Sequence, residues 1–279
     1  MKIIECPRDA MQGFQNFIPT EKKITYLNAL LNVGFDTLDC GSFVSPKAIP
    51  QLADTHEVLQ SLSISNTRLL TIIANERGAL EACKHQNISY LGFPFSLSET
   101  FQQRNTNKSM LQSYELIKSI KRICDENNKQ LVLYFSMGFG NPYEDIYSTD
   151  LLKFWAEKMI NLNISIISIA DTIGIATPVL ISSVFNEIVA TYPTVAWGAH
   201  FHSNAITTFG TIEAAYNAGC RAFDGALKGL GGCPFAADEL VGNVATEMLI
   251  DFMDAKNIKL NINRSALQNA LSLVESTFE

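Results

Sequence analysis

Two histidines separated by one residue, His200 and His202, are the sharpest chemical signal in the sequence. They lie at the end of an apolar run, Val195–Phe201, that predicts a strand, and strand residues two apart point to the same side. Both imidazoles can therefore reach one metal ion, although two unrelated histidines on a strand would give the same pattern. Only four histidines occur in the chain, so a pair at this spacing favours a metal site.

Two oxygen-bearing side chains, Asp9 and Asn243, could complete the ligand sphere. Imidazole nitrogens combined with hard oxygen ligands, without a thiolate, favour Mg²⁺ or Mn²⁺ over a structural zinc ion. Each residue also has a plainer explanation. Asp9 could be paired with the neighbouring Arg8, and Asn243, which follows a glycine at a helix start, could be a helix N-cap.

Four further side chains could act on a substrate beside such an ion. Arg8 would be a fixed cation that stabilises a developing enolate. Asp39 and Asp171 are candidates for a general base, or for groups that simply hold Arg8. Cys233 lies in the glycine-rich segment GLGGCPF, so its thiol could act as an acid or nucleophile when the loop closes, or be a buried inert thiol.

Short apolar runs rich in β-branched residues recur eight times and predict strands buried on both faces of a parallel sheet. Helical segments separate them, and Thr20–Val33 should open on a polar N-cap and end before Gly34. Eight such units predict an α/β fold, a single (β/α)8 TIM barrel, with no break between domains in residues 1–279. An open doubly wound sheet is the alternative, but no GxGxxG follows the first strand. The runs are Lys2–Cys6, Thr37–Gly41, Arg68–Ala74, Ile88–Phe93, Leu131–Ser136, Ile164–Ala170, Val195–Phe201 and Ala222–Leu227.

The helical segments fill the intervals between these runs, and one more segment at Arg264–Glu279 predicts an additional C-terminal helix. Catalytic groups of such a barrel lie at the carboxyl ends of the strands, and the polar residues of the chain collect at those positions. We therefore predict that Gln12, Asn75, Ser136 and Thr172 bind substrate. The other predicted helices are His56–Leu62, Glu76–His85, Lys108–Asn127, Thr149–Asn161, Pro178–Ala190, Ala205–Ala218 and Val241–Met253.

The composition narrows the class of protein. Of 279 residues, 47% are hydrophobic and 18% charged, which excludes a disordered chain, and the net charge of −7 argues against a nucleic-acid partner. No run approaches about 18 apolar residues and no leader is evident, so we expect a cytoplasmic protein without membrane contact. The six cysteines include no CxxC pair and are expected to be reduced thiols.

Seven stretches together resemble the 3-hydroxy-3-methylglutaryl-CoA lyase family, whose barrels carry an Arg-Asp motif at the end of the first strand. They follow the family's order from residue 7 to 247, and SFVSPK combined with GLGGCP is specific to the lyase branch. The stretches are PRDAMQ (Pro7–Gln12), SFVSPKAIPQLAD (Ser42–Asp54), NPYE (Asn141–Glu144), ADTIGIATP (Ala170–Pro178), HFH (His200–His202), GLGGCPFA (Gly229–Ala236) and GNVATE (Gly242–Glu247).

The resemblance implies cleavage of 3-hydroxy-3-methylglutaryl-CoA, or of a close 3-hydroxyacyl-CoA, to acetyl-CoA and acetoacetate. It implies a divalent metal held by Asp9, His200, His202 and Asn243. It also implies that Arg8 stabilises the thioester enolate, that Cys233 helps to protonate it, and that Asp171 is a catalytic carboxylate. An acyl-CoA partner and a homodimer follow from the same resemblance, and Arg104, Asn105 and Lys108 match a basic loop for CoA.

Four departures from the family pattern keep other functions open. The family usually has Gly at Ala10, Glu at Asp39 and Asp at Ser203, and its segment between Cys233 and Asn243 is one residue shorter. These changes allow a different acyl-CoA, a related aldolase or Claisen synthase, or a catalytically impaired barrel that binds a metabolite. The cysteine loop favours the lyase over the synthases.

Overall fold

Eight parallel strands pair in sequence order and close into a barrel in the computed structural model, which describes residues 1–202, 206–232 and 242–279. The closing pair joins β1 to β8 through four register positions, and Ile4 lies opposite Asp224. The prediction of a (β/α)8 barrel is confirmed. The strands are β1 (Lys2–Glu5), β2 (Thr37–Ser42), β3 (Arg68–Ile72), β4 (Ile88–Ser96), β5 (Gln130–Ser136), β6 (Ile166–Asp171), β7 (Ala196–Phe201) and β8 (Ala222–Gly225).

Helices connect the strands and cover the outside of the barrel. Within the described residues they are α1 (Pro7–Gln12), α2 (Thr20–Val33), α3 (Thr55–Gln60), α4 (Glu76–Cys83), α5 (Glu99–Thr106), α6 (Met110–Glu126), α7 (Thr149–Ile160), α8 (Pro178–Thr191), α9 (Thr208–Asn217), α10 (Thr246–Ala255) and α11 (Arg264–Thr277). None of these helices is long and apolar enough to cross a membrane.

The strands are buried on both faces because side chains alternate between the barrel interior and the helical layer. All six residues of β2 are buried. Leu70, Tyr90 and Val132 form a small apolar cluster of their own, while the larger core joins the other faces of the strands to the helices. This packing leaves the carboxyl ends of the strands to carry polar groups.

The additional C-terminal helix predicted from the sequence is confirmed as α11, which packs against α2. The backbone N–H of Asn263 donates to the carbonyl of Val33 at 2.8 Å, so the segment before α11 is tied to the end of α2. Beyond α11, the ring of Phe278 meets those of Tyr26 and Phe14 edge to face at 5.9 and 5.8 Å. This helix therefore extends the helical layer beside α2.

Some local expectations need correction. Thr20 is not an N-cap: Pro19 takes that position, and the Thr20 hydroxyl instead donates to Asp54 at 2.8 Å. The predicted helix Lys108–Asn127 begins later, at Met110, because Ser109 and Gln112 form a capping box there. Two short helices, α1 and α5, were missed, whereas Gly34 ends α2 in the left-handed conformation, as expected (φ 83°). One domain over residues 1–279 stays a prediction.

Candidate active site

A cavity at the carboxyl ends of the strands collects nine of the predicted site residues. They arrive from α1, which follows β1, from β2, and from the ends of β5, β6 and β7, with one residue from α5. The same cavity is lined by three side chains that sequence reasoning missed: Cys6, Tyr134 and Asp224. The nine are Arg8, Asp9, Gln12, Asp39, Asn105, Ser136, Thr172, His200 and His202.

Arg8 is held by three other side chains of the cavity. Its Nε and Nη2 donate to Oδ2 of Asp39 at 2.9 and 2.7 Å, and its Nη1 donates to Asp9 at 3.0 Å and to Gln12 at 2.7 Å. Burial alone would lower the pKa of Arg8, but the negative charges of Asp39 and Asp9 raise it by more than burial lowers it. The net pKa is above the ordinary value, so the guanidinium stays charged. The alternatives in which Asp9 and Asp39 pair with Arg8 are thus both met, whereas Asp171, the third candidate partner, binds backbone N–H groups instead.

The two carboxylates next to Arg8 differ in their affinity for protons. Burial raises the pKa of Asp39 to about 6, against the lowering effect of Arg8. Burial alone would also raise the pKa of Asp9. The positive charges of Arg8, His200 and His202 outweigh the effect of burial and bring the pKa of Asp9 to about 2. Asp9 is therefore an anion at neutral pH, which suits a cation ligand.

Three side chains form a candidate metal centre: ligand atoms of Asp9, His200 and His202 lie within 4.8 Å of one another. Asn243 joins them, because its Nδ2 donates to Oδ2 of Asp9 and to the carbonyl of Leu230, both at 2.8 Å. Both contacts use the amide nitrogen, so the predicted metal role of Asn243 would fall to its amide oxygen. Two imidazoles with a carboxylate and an amide oxygen fit a divalent cation such as Mn²⁺ or Mg²⁺.

His200 is oriented by a carboxylate of the last strand. Its Nδ1 lies 2.9 Å from Oδ2 of the buried Asp224. This contact leaves Nε2 as the ring nitrogen for an ion held with Asp9 and His202, as in other carboxylate–histidine–metal arrangements. Burial lowers the pKa of His200, but the hydrogen bond and charge of Asp224 raise it overall. The sequence signal for Asp224 was a lone acid inside an apolar run.

Asn243 reaches the centre because the chain runs close beside β7 there. Its backbone pairs with His202, and the next N–H, that of Val244, donates to the carbonyl of Phe201 at 3.3 Å. The alternative of a helix N-cap is wrong, since α10 begins at Thr246 with Ala245 in the cap position. Gly231 permits the approach: a Cβ there would lie 2.7 Å from Asn243 Nδ2, and its φ is +93°.

Two predicted residues bind backbone next to the cavity rather than lining it. Asp171 accepts from the N–H groups of Ile175 and Ala176 at 3.1 and 2.9 Å, so both of its oxygens shape the loop between β6 and α8. Burial raises its pKa in spite of these bonds. Asn75 accepts from Gly78 N–H at 2.8 Å and is the N-cap of α4. Their catalytic and substrate-binding roles stay predictions.

The residues predicted for CoA lie around α5. Asn105 lines the cavity, while the Arg104 guanidinium lies 4.7 Å from the ring centroid of Tyr143. Lys108 is half-buried just after the helix. Cys233 and Ser203 lie outside the described residues, so their predicted parts stay predictions.

Comparison with known proteins places this geometry in a family. The HMGL-like family model matches residues 2–274. Hydroxymethylglutaryl-CoA lyase YngG of Bacillus subtilis is 32% identical over 270 residues, which cover 96% of this chain and 90% of that protein. The mitochondrial hydroxymethylglutaryl-CoA lyase of Homo sapiens is 29% identical, over 97% of this chain and 83% of that protein.

Solved structures agree with the sequence relatives. The Bacillus subtilis HMG-CoA lyase superposes with a TM-score of 0.93 at 31% identity, covering 99% of this chain and 93% of that chain. An Acinetobacter baumannii HMG-CoA lyase, solved with coenzyme A and 3-methylmalate, gives 0.92 at 32% identity, covering 100% and 91%. The chain belongs to the HMGL-like family, as its motifs predicted, and is an enzyme of the lyase class.

Proposed function

We propose that this enzyme is a divalent-metal-dependent carbon–carbon lyase that cleaves 3-hydroxy-3-methylglutaryl-CoA, or a close 3-hydroxyacyl-CoA, to acetyl-CoA and acetoacetate. One observation carries the proposal: Arg8, fixed by Asp39, lies in the same cavity as the cluster of Asp9, His200 and His202. A retro-Claisen cleavage needs an electrophilic cation, a base and a positive charge beside the enolate oxygen.

A resident Mg²⁺ or Mn²⁺ held by Asp9, His200, His202 and Asn243 would supply Lewis acidity toward the substrate's oxygen atoms. The side chains themselves orient and hold charge. Asp224 fixes the ring of His200, and Asn243 fixes the carboxylate of Asp9 by a hydrogen bond of 2.8 Å. These contacts keep the ligand atoms in position before a substrate enters.

Arg8 is suited to stabilise the enolate of the departing thioester. A guanidinium has five N–H donors, and four contacts to described residues engage Nε, Nη1 and Nη2. One N–H of Nη2 is therefore left for a ligand within the described part of the cavity. Its burial strengthens the interaction with a developing negative charge, since water screens it poorly there.

Asp39 is the better placed of the two candidate bases. Its Oδ2 holds Arg8, whereas its Oδ1 is buried without a hydrogen-bond partner among the described residues. A pKa of about 6 leaves the carboxyl able to take a hydroxyl proton near neutral pH. Asp171, with both oxygens on backbone N–H groups, fits a supporting role better.

The remaining parts of the proposal rest on the family likeness. Coenzyme A is present in the solved structure of the Acinetobacter baumannii relative, and we propose an acyl-CoA partner that passes Asn105 at the cavity mouth. Cys233 would protonate the enolate, so Cys233→Ser should lower turnover and leave metal affinity nearly unchanged. A homodimer and a cytoplasmic location belong to the same proposal.

The test is product identification. The purified protein, loaded with Mn²⁺ or Mg²⁺, is given 3-hydroxy-3-methylglutaryl-CoA and, separately, shorter and longer 3-hydroxyacyl-CoA thioesters. We expect equal amounts of acetyl-CoA and acetoacetate from the first, and loss of both products after metal chelation. Bound metal without cleavage of any of these thioesters would contradict the proposed activity.

A further inference from the structure

A thiol lies on the wall of the cavity, on the Asp224 side of His200. Cys6 follows β1, and its side chain is fully buried yet lines the cavity. Its backbone N–H donates to the carbonyl of Gly225 at 2.8 Å, which pins it beside β8 and therefore beside Asp224. Ligand atoms of Cys6, His200 and Asp224 lie within 4.8 Å of one another.

This second cluster shares His200 with the candidate metal centre but uses the other side of its ring. Asp224 faces Nδ1, so an ion held with Asp224 and Cys6 would bind that nitrogen, while Asp9 and His202 belong with Nε2. The two clusters also differ in chemistry. Among the described residues, the cluster with Asp9 includes no sulfur ligand, whereas Cys6 offers a thiolate, the ligand that Zn²⁺, Cd²⁺ and Co²⁺ accept and Mg²⁺ does not.

The spacing of the ligand atoms suits a small transition-metal ion. Bonds of about 2.0–2.2 Å from zinc to nitrogen and oxygen, set at a right angle, separate the two ligand atoms by about 2.9 Å. Nδ1 of His200 and Oδ2 of Asp224 are 2.9 Å apart, and a tetrahedral ion would need them to open by about half an ångström.

We propose that Cys6, His200 and Asp224 form a second cation site, selective for thiophilic divalent ions such as Zn²⁺, Cd²⁺ or Co²⁺. Binding displaces the Cys6 thiol proton and the proton between His200 and Asp224, and both leave to solvent. Occupancy removes the carboxylate partner of His200, so a thiophilic ion at this site disturbs the neighbouring centre. The proposal concerns these three residues and holds whichever acyl-CoA the enzyme cleaves.

Absorption spectroscopy with Co²⁺ tests this site without an activity assay. The full chain is first saturated with Mg²⁺, and CoCl₂ is then titrated while thiolate-to-cobalt charge-transfer absorption is followed in the near ultraviolet. We expect the band in the wild type and its loss in Cys6→Ser. Asp224→Asn keeps the thiol, so the band should persist but require higher Co²⁺ concentrations.

Two matched thiols control for other sources of the band. Cys220→Ser removes a buried thiol whose Sγ lies 3.2 Å from the carbonyl of Ala222, and Cys233→Ser removes the thiol of the glycine-rich segment; both should keep the band. Thermal unfolding without added metal checks that each variant folds. A band that survives in Cys6→Ser, or that is absent from wild type at saturating Co²⁺, overturns the site. Cleavage of 3-hydroxy-3-methylglutaryl-CoA is measured separately, so failure of one proposal is distinguishable from failure of the other.

Discussion

Arg8 contacts Asp39 through two nitrogens that converge on one carboxylate oxygen, with Nε and Nη2 at 2.9 and 2.7 Å from Oδ2. Both side chains are nearly excluded from solvent, at 9% and 1% exposed. The family resemblance leads us to expect the longer Glu at position 39, yet the shorter carboxylate reaches the guanidinium in this chain. Asp39 is therefore long enough to form the ion pair.

Replacing Arg8 should lower the turnover number much more than it lowers the affinity for the metal ion. In Arg8→Gln we expect the turnover number to fall about 10²–10³-fold, because no fixed charge then stabilises the enolate. Arg8→Lys keeps the positive charge but lacks the forked N–H donors of the guanidinium, so its turnover number should fall less. Steady-state kinetics measure the effect, and calorimetric Mn²⁺ titration with thermal unfolding checks the fold. Unchanged turnover in Arg8→Gln would exclude the enolate role.

The Asp224 carboxylate should matter for metal affinity although it is not a ligand of the centre. Asp224→Asn keeps the shape of the side chain but removes the negative charge, which lies 2.9 Å from Nδ1 of His200 and orients its ring. We expect Mn²⁺ affinity to fall about 10–100-fold, measured by equilibrium titration. Asp125→Asn, on the exposed end of α6, is the control and should bind Mn²⁺ normally. Equal affinities for both variants would remove Asp224 from this role.

A side chain at position 231 should displace Asn243 from its position beside Asp9. A Cβ at Gly231 would lie 2.7 Å from Asn243 Nδ2 and 2.9 Å from Ala10 Cα, and the backbone has φ +93°. In Gly231→Ala we expect unfolding to become easier by more than about 1 kcal/mol and Mn²⁺ affinity to drop. Gly13→Ala meets no atom within 4 Å and serves as the control. Equal Mn²⁺ affinities for the two variants would contradict the inference that Gly231 allows Asn243 to reach the metal centre.

Glu5 should make stability depend on pH. It is fully buried and accepts hydrogen bonds from the N–H of Leu227 and the hydroxyl of Thr246, and burial raises its pKa from the ordinary 4.5 to about 8. The folded chain keeps a proton that the unfolded chain releases above pH 4.5. The contribution of Glu5 to stability therefore falls as pH rises from 4.5 to 8 and is level above that range.

Glu5→Gln removes this titration. Relative to the wild type, its free energy of unfolding should rise across pH 4.5 to 8 by up to about 5 kcal/mol, since each pKa unit is about 1.4 kcal/mol. Urea unfolding at several pH values measures the difference, and Glu57→Gln, exposed on α3, is the control. Parallel curves for wild type and Glu5→Gln would show that Glu5 ionises normally in the folded chain.

The barrel was readable from the sequence because strands buried on both faces leave continuous apolar runs. α2 was predicted with its bounds, Thr20–Val33. Local competition explains the errors. Pro7 opens the short helix α1 within the motif that carries Arg8, and Ser98 caps α5 where no long amphipathic pattern marks a helix. Such short helices depend on capping and tertiary contacts more than on periodicity.

Part of the site could be predicted because some of its residues follow a local sequence pattern. His200 lies on β7 and His202 directly follows it in extended backbone, so their spacing alone predicts a common direction. Cys6 follows β1 and Asp224 lies on β8, at opposite ends of the sequence, so the two residues become neighbours only when β1 pairs with β8. No local pattern predicts that contact. Asn75 shows the reverse case, because an N-cap and a ligand-binding residue at a strand end look alike in sequence.

The most direct measurement of the central claim pairs Mn²⁺ binding with product formation in wild type and His200→Ala. The account predicts that the wild type binds Mn²⁺ and converts 3-hydroxy-3-methylglutaryl-CoA to acetyl-CoA and acetoacetate. It predicts that His200→Ala, with unchanged secondary structure, loses both the affinity and the products. Full cleavage by His200→Ala, or cleavage by wild type that survives complete metal removal, would contradict it.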